Sequence, residues 1–233
     1  MAKPKTRVRR VRPPPASTTT PAPSADLRKA VTQMTWPKGQ VIHRIHLDLY
    51  LTAQFNPGIK GNARFSPIKD TKGSSIPTLY GGMTFECAAM ETVFHDVPFA
   101  VGLKTYDKAK LTDQVASQIV LRRDLLLADL SATALRKLGI ERSQLIDTEK
   151  DRYPQTRVWA EAIHAQCPDV DGLCWVSRQD DRARALVLFG DRVTSADLAP
   201  LGLSISITSD PDVYTGLLHL ADRIGVRIVD GSA

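Results

Sequence analysis

The sequence predicts a domain of the α+β class. Segments with a helical pattern of apolar residues and segments with a strand pattern follow one another without the regular strand–helix–strand alternation of a doubly wound sheet. The chain has 233 residues, of which 42% are hydrophobic and 24% are charged, which is ordinary for one soluble domain. No stretch approaches the ~20 apolar residues that a membrane span needs, so we expect no membrane partner.

The first 35 residues are predicted to form a tail and a short helix outside a single domain of residues 36–233. Residues 1 to about 24 are rich in Pro, Ser and Thr and offer almost nothing to bury, so we expect them to be disordered. The short helix is expected to begin after Ser24 and to run through Leu27 and Val31. The basic start leads into Pro-rich sequence and not into an apolar segment, which is unlike a secretory signal.

The formal net charge of +6 comes from this tail. The chain has 31 Lys and Arg against 25 Asp and Glu. Residues 1–12 contain no acid and six bases, namely Lys3, Lys5, Arg7, Arg9, Arg10 and Arg12. The rest of the chain is therefore neutral, which argues against a nucleic-acid surface on the domain itself.

The predicted elements can be placed in chain order. Alternating apolar residues predict strands, while apolar positions three and four residues apart after a capping residue predict helices. The predicted strands are residues 41–47, residues 78–80 ended by Gly81-Gly82, a pair of strands within 115–130, and residues 172–177, 185–190 and 226–229. The predicted helices are residues 84–95 capped by Thr84, residues 131–139, one that follows Pro154, and residues 211–224.

The helix of residues 84–95 carries the most informative polar residue. It is apolar nearly all round, so we expect it to be largely buried. Glu91 lies beside the stripe formed by Cys87, Met90 and Phe94, and a buried carboxylate is costly unless it is paired or used. Either an ion pair with an arginine from elsewhere in the fold or a role in catalysis would account for it.

Four further side chains are candidates for a ligand site, and each also has an ordinary structural explanation. Arg44 alternates with Ile42 in its strand and is either a solvated strand residue or an anion ligand. Arg64 is flanked by small residues and could reach a phosphate together with loop N–H groups. Tyr80 could form a pocket wall or pack in the core, and Ser177, at a strand end, could bind a ligand or complete a turn.

No metal site is expected. Cys87, Cys167 and Cys174 lack the spacing of a zinc site or a disulfide framework, so they are expected to be idle thiols in a reducing cytoplasm. The three histidines that suggest a metal have no further ligand at a fitting spacing; they are His43, His46 and His95.

Taken together, several motifs resemble the RES-domain family, which is named for its Arg, Glu and Ser. The resemblance covers about residues 41–192. The motifs that carry it are residues 61–67 (GNARFSP), 77–80 (PTLY), 88–91 (AAME), 172–178 (GLCWVSR) and 186–189 (LVLF).

The resemblance implies a fold, an activity and roles for single residues. The family is the toxin half of RES–Xre toxin–antitoxin modules in bacteria. Its fold resembles ADP-ribosyltransferases, and its members consume NAD, either passing ADP-ribose to a protein or using water or phosphate as acceptor. By resemblance, Glu91 would be the catalytic carboxylate, aided by Arg44 and Tyr80. NAD itself would be bound by Arg44, Arg64, Tyr80 and Ser177, with Tyr80 as a wall of the nicotinamide pocket.

The resemblance also implies a partner, a helix-turn-helix antitoxin of the Xre type, and in the transferase case a protein target. A cytoplasmic location and no direct contact with nucleic acid are expected. Two other hypotheses remain open. One is a nucleic-acid-binding module that uses the basic tail, and the other is a non-catalytic binding protein with a decayed site.

Overall fold

The structure is a computed structural model that describes residues 19–231. The first 18 residues, with the six bases of the tail, and the last two residues lie outside this range. The prediction of a disordered basic start, and the nucleic-acid hypothesis that depends on it, therefore concern residues that lie mostly outside the described part of the chain.

The described chain contains strands throughout, with helices between them. The strands are β1 (Gln33–Trp36), β2 (Val41–Leu47), β3 (Ile68–Lys69), β4 (Ser75–Ile76), β5 (Thr78–Gly82), β6 (Lys104–Asp107), β7 (Gln114–Leu121), β8 (Leu125–Asp129), β9 (Gly172–Val176), β10 (Arg184–Phe189), β11 (Leu198–Pro200), β12 (Ile205–Ser206) and β13 (Val226–Val229). The α-helices are α1 (Phe85–Thr92), α2 (Ala132–Leu138), α3 (Arg142–Leu145), α4 (Tyr153–Gln166) and α5 (Pro211–Arg223). Short 3₁₀ helices cover Leu27–Lys29, Lys108–Leu111, Lys150–Arg152 and Ser195–Asp197.

Nine strands form one mixed sheet in the order β1-β8-β9-β10-β5-β2-β7-β11, with β12 also paired to β7. Only the β8–β9 pair in it is parallel. β6 and β13 form a parallel pair, and β3 and β4 a small hairpin. The α+β fold class predicted from the sequence is confirmed.

Buried side chains fill both faces of this sheet. On one face, Trp159 and Ile163 of α4 pack with side chains of β9 and β10. On the other, Ile42 and Leu79 pack with side chains from β7 and β8. A third cluster joins α1 to α5. Helix α1 is buried along Cys87–Met90, as its apolar sequence predicts, and the Thr84 side chain caps it by accepting a hydrogen bond from the N–H of Cys87.

The sheet divides between β2 and β5. These neighbouring strands share one registered pair, His43 with Gly82. Beyond it, residues 44–47 on one strand and Thr78, Tyr80 and Gly81 on the other line an open cleft. The fork therefore opens the middle of a continuous sheet to a ligand.

Three sequence predictions need correction. First, Gly81-Gly82 does not end the strand, because β5 continues through both glycines and pairs with β10. Glycine is required for close packing and not for a turn. A Cβ on Gly81 would lie 2.3 Å from Ile42 Cγ2, and one on Gly82 would lie 2.8 Å from Cys87 Sγ.

Second, the two strands within residues 115–130 exist but do not pair with each other. β7 pairs with β2, β11 and β12, and β8 pairs with β1 and β9. They lie towards opposite ends of the sheet, because each strand finds its apolar neighbours far away in the sequence.

Third, the helix expected from Ser24 through Val31 is only the 3₁₀ turn Leu27–Lys29. The Ser24 side chain accepts from the N–H of Asp26, and the Gln166 side chain of α4 accepts from the N–H of Leu27. These contacts hold the segment on α4, where Trp159 also donates to the carbonyl of Pro21. The segment before residue 36 thus packs on the domain from residue 20 onwards, and β1 belongs to its sheet.

Within residues 19–231, no helix is long and apolar enough to cross a membrane.

Candidate active site

The cleft at the fork has a volume of about 370 Å³, which is within the range of small-molecule sites. The ends of β2 and β5 form one side. Residues 60–64, the second half of α1 and the start of α4 form the others. Four of the five predicted site residues line it, namely Arg44, Arg64, Tyr80 and Glu91.

Glu91 is held in a fixed position at this cleft. Its Oε1 accepts a hydrogen bond of 2.7 Å from Ser177 Oγ, and its Oε2 lies 3.7 Å from Arg64 Nη1. The side chain is 12% exposed. The carboxylate is thus paired with an arginine, which is one of the two explanations offered by the sequence, and it also lines the cleft.

Ser177 lies behind Glu91 and is fully buried. It follows β9 directly, and its hydroxyl accepts hydrogen bonds from the N–H groups of Gln179 and Asp180 while it donates to Glu91. Its carbonyl accepts from Arg142 Nη2 of α3. Ser177 is not among the cleft-lining residues, so in this structure it positions the carboxylate.

Arg64 is 3% exposed, yet its guanidinium donates no hydrogen bond to any residue in the described range. Its contacts are the Glu91 ion pair and the ring of Tyr153, whose centre lies 5.6 Å from Cζ. Its Nε is buried without a partner in that range. A buried cation with so few partners is costly, and it is well suited to an anionic ligand.

Arg44 is the second buried cation, at 8% exposure. Its Nη1 donates to the carbonyls of Thr52 at 2.8 Å and Gln54 at 2.9 Å. No carboxylate in the described part of the chain forms an ion pair with it, and burial lowers its pKa to about 10. Such an uncompensated charge also favours an anion.

Tyr80 and Trp175 form an aromatic wall of the site, and Phe65 packs against it. The ring of Trp175 meets Phe65 edge-on at 5.1 Å between centroids and Tyr80 at 6.2 Å. The Tyr80 hydroxyl accepts from the N–H of Phe65, and burial raises the pKa of this phenol. Tyr80 thus presents a fixed, neutral ring to the cleft.

The cleft also contains residues that the sequence analysis missed. His95 Nε2 is 2.7 Å from the Tyr153 hydroxyl, and its Nδ1 is 2.8 Å from Asp96 Oδ1. Burial alone would raise the pKa of Asp96, but hydrogen bonds from Lys150 and His95 outweigh it and lower that pKa. The position of His95, four residues after Glu91, was an available signal, whereas nothing near Tyr153 in the sequence indicated a site.

The histidines and acids of the described range form no metal site. His46 and His95 line the cleft but His43 faces a neighbouring groove. No three His, Cys, Asp or Glu side chains within residues 19–231 come together as metal ligands.

The site combines one anchored carboxylate, two buried arginines and a wall of aromatic rings. The carboxylate can stabilise positive charge that develops in a bound sugar. The arginines can bind phosphate, and the wall can hold a planar ring. This combination is chemically suited to a nucleotide ligand.

The sequence model of the RES-domain family matches residues 41–208, so this protein belongs to the RES-domain family. Its fold is similar to that of a chain in the crystal structure of the M. tuberculosis MbcT–MbcA toxin–antitoxin complex. The TM-score is 0.56 with 13% sequence identity, over 78% of this chain and 91% of that chain. A sequence search of curated proteins gives no match.

Proposed function

We propose that this protein is the toxin of a toxin–antitoxin module and that it cleaves NAD at the bond between nicotinamide and ribose. The observation that carries the proposal is the placement of Glu91, fixed by Ser177, in one cleft with two buried arginines that have no hydrogen-bonded carboxylate. Membership of the RES-domain family supports the same conclusion.

In the proposed reaction the bond from ribose C1′ to the nicotinamide nitrogen breaks, and its electron pair goes to the ring nitrogen. Positive charge develops on the ribose, and the carboxylate of Glu91 stabilises it. Because Ser177 and Arg64 hold the carboxylate in place, it needs little reorganisation during the reaction.

The arginines are proposed to bind the pyrophosphate of NAD. Arg44 and Arg64 line the same cleft and are both nearly buried. A guanidinium with unused donors forms strong charge-assisted hydrogen bonds with phosphate oxygens. Tyr80 is proposed to contact the nicotinamide ring.

The direct test measures nicotinamide release from NAD by the wild-type protein and by Glu91→Gln. The matched control is Glu86→Gln, in the first turn of the same helix and outside the cleft lining. We expect wild type and Glu86→Gln to release nicotinamide and Glu91→Gln to lose the activity. A wild-type protein that releases none, with or without candidate target proteins, would contradict the proposal.

Water, phosphate and a protein side chain are the candidate acceptors of ADP-ribose. NAD labelled in its adenylate half distinguishes them in one incubation with a cell lysate. Free ADP-ribose identifies water, a phosphorylated ADP-ribose identifies phosphate, and label in a protein band identifies a transferase and its target.

A helix-turn-helix antitoxin is the proposed partner. An enzyme that consumes NAD must be held inactive in its own cytoplasm, and the structural relative comes from a toxin–antitoxin complex. Expression of this chain alone is expected to arrest growth, and co-expression of a helix-turn-helix protein encoded beside it is expected to restore growth. Arrest that persists with Glu91→Gln would argue against NAD consumption as its cause.

A further inference from the structure

We infer that Trp175 recognises the leaving group, through a hydrogen bond from its indole N–H to the carboxamide oxygen of nicotinamide. This inference rests on the proposed function, since it concerns the same cleft and the same substrate. It assigns a specificity-determining role to a residue that sequence reasoning did not select.

The first observation is an unused donor on a residue that lines the cleft. Trp175 lines the cleft and its side chain is buried. Its Nε1 has no hydrogen-bond acceptor among residues 19–231. A buried N–H without an acceptor is unfavourable, so a ligand that supplies an acceptor there gains binding energy.

The other two tryptophans show what is particular to this one. Trp159 is the ordinary case, because its Nε1 donates to the carbonyl of Pro21 at 2.7 Å. Trp36 also lacks an acceptor in the described range, but it lies in the core cluster on the opposite face of the sheet. An unpaired indole is therefore not enough by itself, and what distinguishes Trp175 from Trp36 is that it lines the cleft.

A second unpaired donor lies at the same cleft. Arg64 Nε is also buried without an acceptor in the described range. The two donors differ in charge, which assigns them to different parts of one ligand. The guanidinium suits a phosphate, and the neutral indole suits a neutral carbonyl.

The surroundings of Trp175 fit a flat heteroaromatic ring. Phe65 and Tyr80 pack edge-on against the indole. The Tyr80 hydroxyl already accepts a hydrogen bond from the N–H of Phe65, whereas the Trp175 Nε1 has no hydrogen-bond partner among residues 19–231. A pyridine ring with a carboxamide at its edge matches a wall that combines aromatic surface with one N–H.

The contact can be observed directly by NMR of the indole N–H groups. The chain has three tryptophans, so three indole resonances are expected, assigned by single Trp→Phe substitutions. The Glu91→Gln variant, in which NAD stays intact, is titrated with NAD and separately with nicotinamide. We expect the Trp175 proton to move downfield with both ligands while those of Trp36 and Trp159 stay in place.

A second experiment compares ligand binding by Trp175→Phe with that by Trp36→Phe. Both substitutions remove a buried, unpaired indole N–H, and only the first alters the cleft. The inhibition constants of nicotinamide and of pyridine, which lacks the carboxamide, are measured for each. We expect Trp175→Phe to weaken nicotinamide by about 2- to 10-fold, the range of one hydrogen bond. The inhibition constant of pyridine should not change in Trp175→Phe. In Trp36→Phe, the inhibition constants of both compounds should stay at the wild-type values.

The outcomes separate the two proposals. Wild-type protein that neither binds nor cleaves NAD overturns the proposed function and this inference with it. Protein that cleaves NAD but shows no movement of the Trp175 resonance, or an equal loss of nicotinamide and pyridine binding in Trp175→Phe, overturns the inference alone. If Trp175→Phe does not fold, the NMR titration of the tryptophan-containing protein decides.

Discussion

Replacing Arg44 by methionine separates a structural from a functional arginine. Methionine keeps much of the apolar stem and removes the charge and the donors. Arg44 anchors residues 52 and 54 through two good hydrogen bonds from Nη1 and carries a buried charge without an ion pair in the described range. The two contributions to stability therefore offset each other in part, whereas the expected effect on activity is not offset.

The size of the stability effect follows from the structure. Burial lowers the pKa of Arg44 by two to three units, to about 10. Since one pKa unit corresponds to about 1.4 kcal/mol, burying this cation costs on the order of 3 kcal/mol. Hydrogen bonds from a charged donor contribute about 1.5–3 kcal/mol each, so the two bonds to carbonyls return about 3–6 kcal/mol. We therefore expect Arg44→Met to lower the free energy of unfolding by no more than about 3 kcal/mol, since relief of the buried charge offsets about 3 kcal/mol of the lost hydrogen bonding.

Activity is expected to fall more clearly than stability. A charge-assisted hydrogen bond to a phosphate contributes about 1.5–3 kcal/mol, so kcat/KM for NAD should fall about 10- to 100-fold. Urea denaturation gives the first quantity and initial rates of nicotinamide release give the second.

The matched control is Arg192→Met. Arg192 also donates to backbone carbonyls, those of His164, Cys167 and Val170, but it lies outside the cleft lining. This control should lose stability and keep its KM. If Arg44→Met instead lost several kcal/mol of stability and kept wild-type kcat/KM, Arg44 would be a structural anchor and the anion argument would be wrong.

Three further predictions follow from the same geometry. Ser177→Ala removes the hydrogen bond to Glu91 and should lower kcat about 10- to 100-fold. The control Ser131→Ala removes a similar bond to Asp129 away from the cleft and should keep the wild-type kcat. If Ser177→Ala also kept the wild-type kcat, the positioning role would be refuted. Burial, and then the nearby charge of Arg44, lower the pKa of His46 in the folded protein. As the pH falls, His46 therefore binds a proton in the unfolded chain before it does so in the folded protein. Stability should therefore fall as the pH drops below about 6.5. This loss should be smaller in His46→Gln. The control His219→Gln, on the exposed side of α5, should lose as much stability as wild type. ADP-ribose at 100 times its Kd should stabilise the fold by about 2.7 kcal/mol in a thermal-shift or denaturation assay, and absence of any shift would count against a nucleotide site.

Local sequence signals predicted the helices better than the sheet. Thr84 caps α1, and α2 ends at Gly139 in a left-handed conformation, because caps and glycines act over a few residues. Strand pairing joins residues that are distant in the sequence. The sequences of β7 and β8 therefore do not indicate that the two strands lie apart in the sheet. The prediction that Gly81-Gly82 ends a strand was wrong for a related reason. A turn and a close approach both require glycine, and only the position of Ile42 in space distinguishes them.

The site was predictable where a residue conflicted with its surroundings. Glu91 stood out because it is a carboxylate on an apolar helix, and the structure places it at the cleft with Arg64. Trp175 and Tyr153 did not stand out, because an aromatic residue in an apolar segment is what any core contains. Their significance lies in the hydrogen-bond partners available to the indole and the phenol, and these depend on neighbours from other parts of the chain.

The unsatisfied groups of the cleft also discriminate between its candidate ligands. A nucleic-acid backbone offers phosphates to Arg44 and Arg64, but at 8% and 3% exposure these side chains lie too deep for a polymer that passes along the surface. A single phosphate would reach the arginines and leave the aromatic wall and the Trp175 N–H unused. A dinucleotide carries a pyrophosphate, a sugar and a carboxamide-bearing ring in one molecule, so it can meet the arginines, Glu91 and Trp175 together. The combination of donors, more than any one residue, therefore favours NAD.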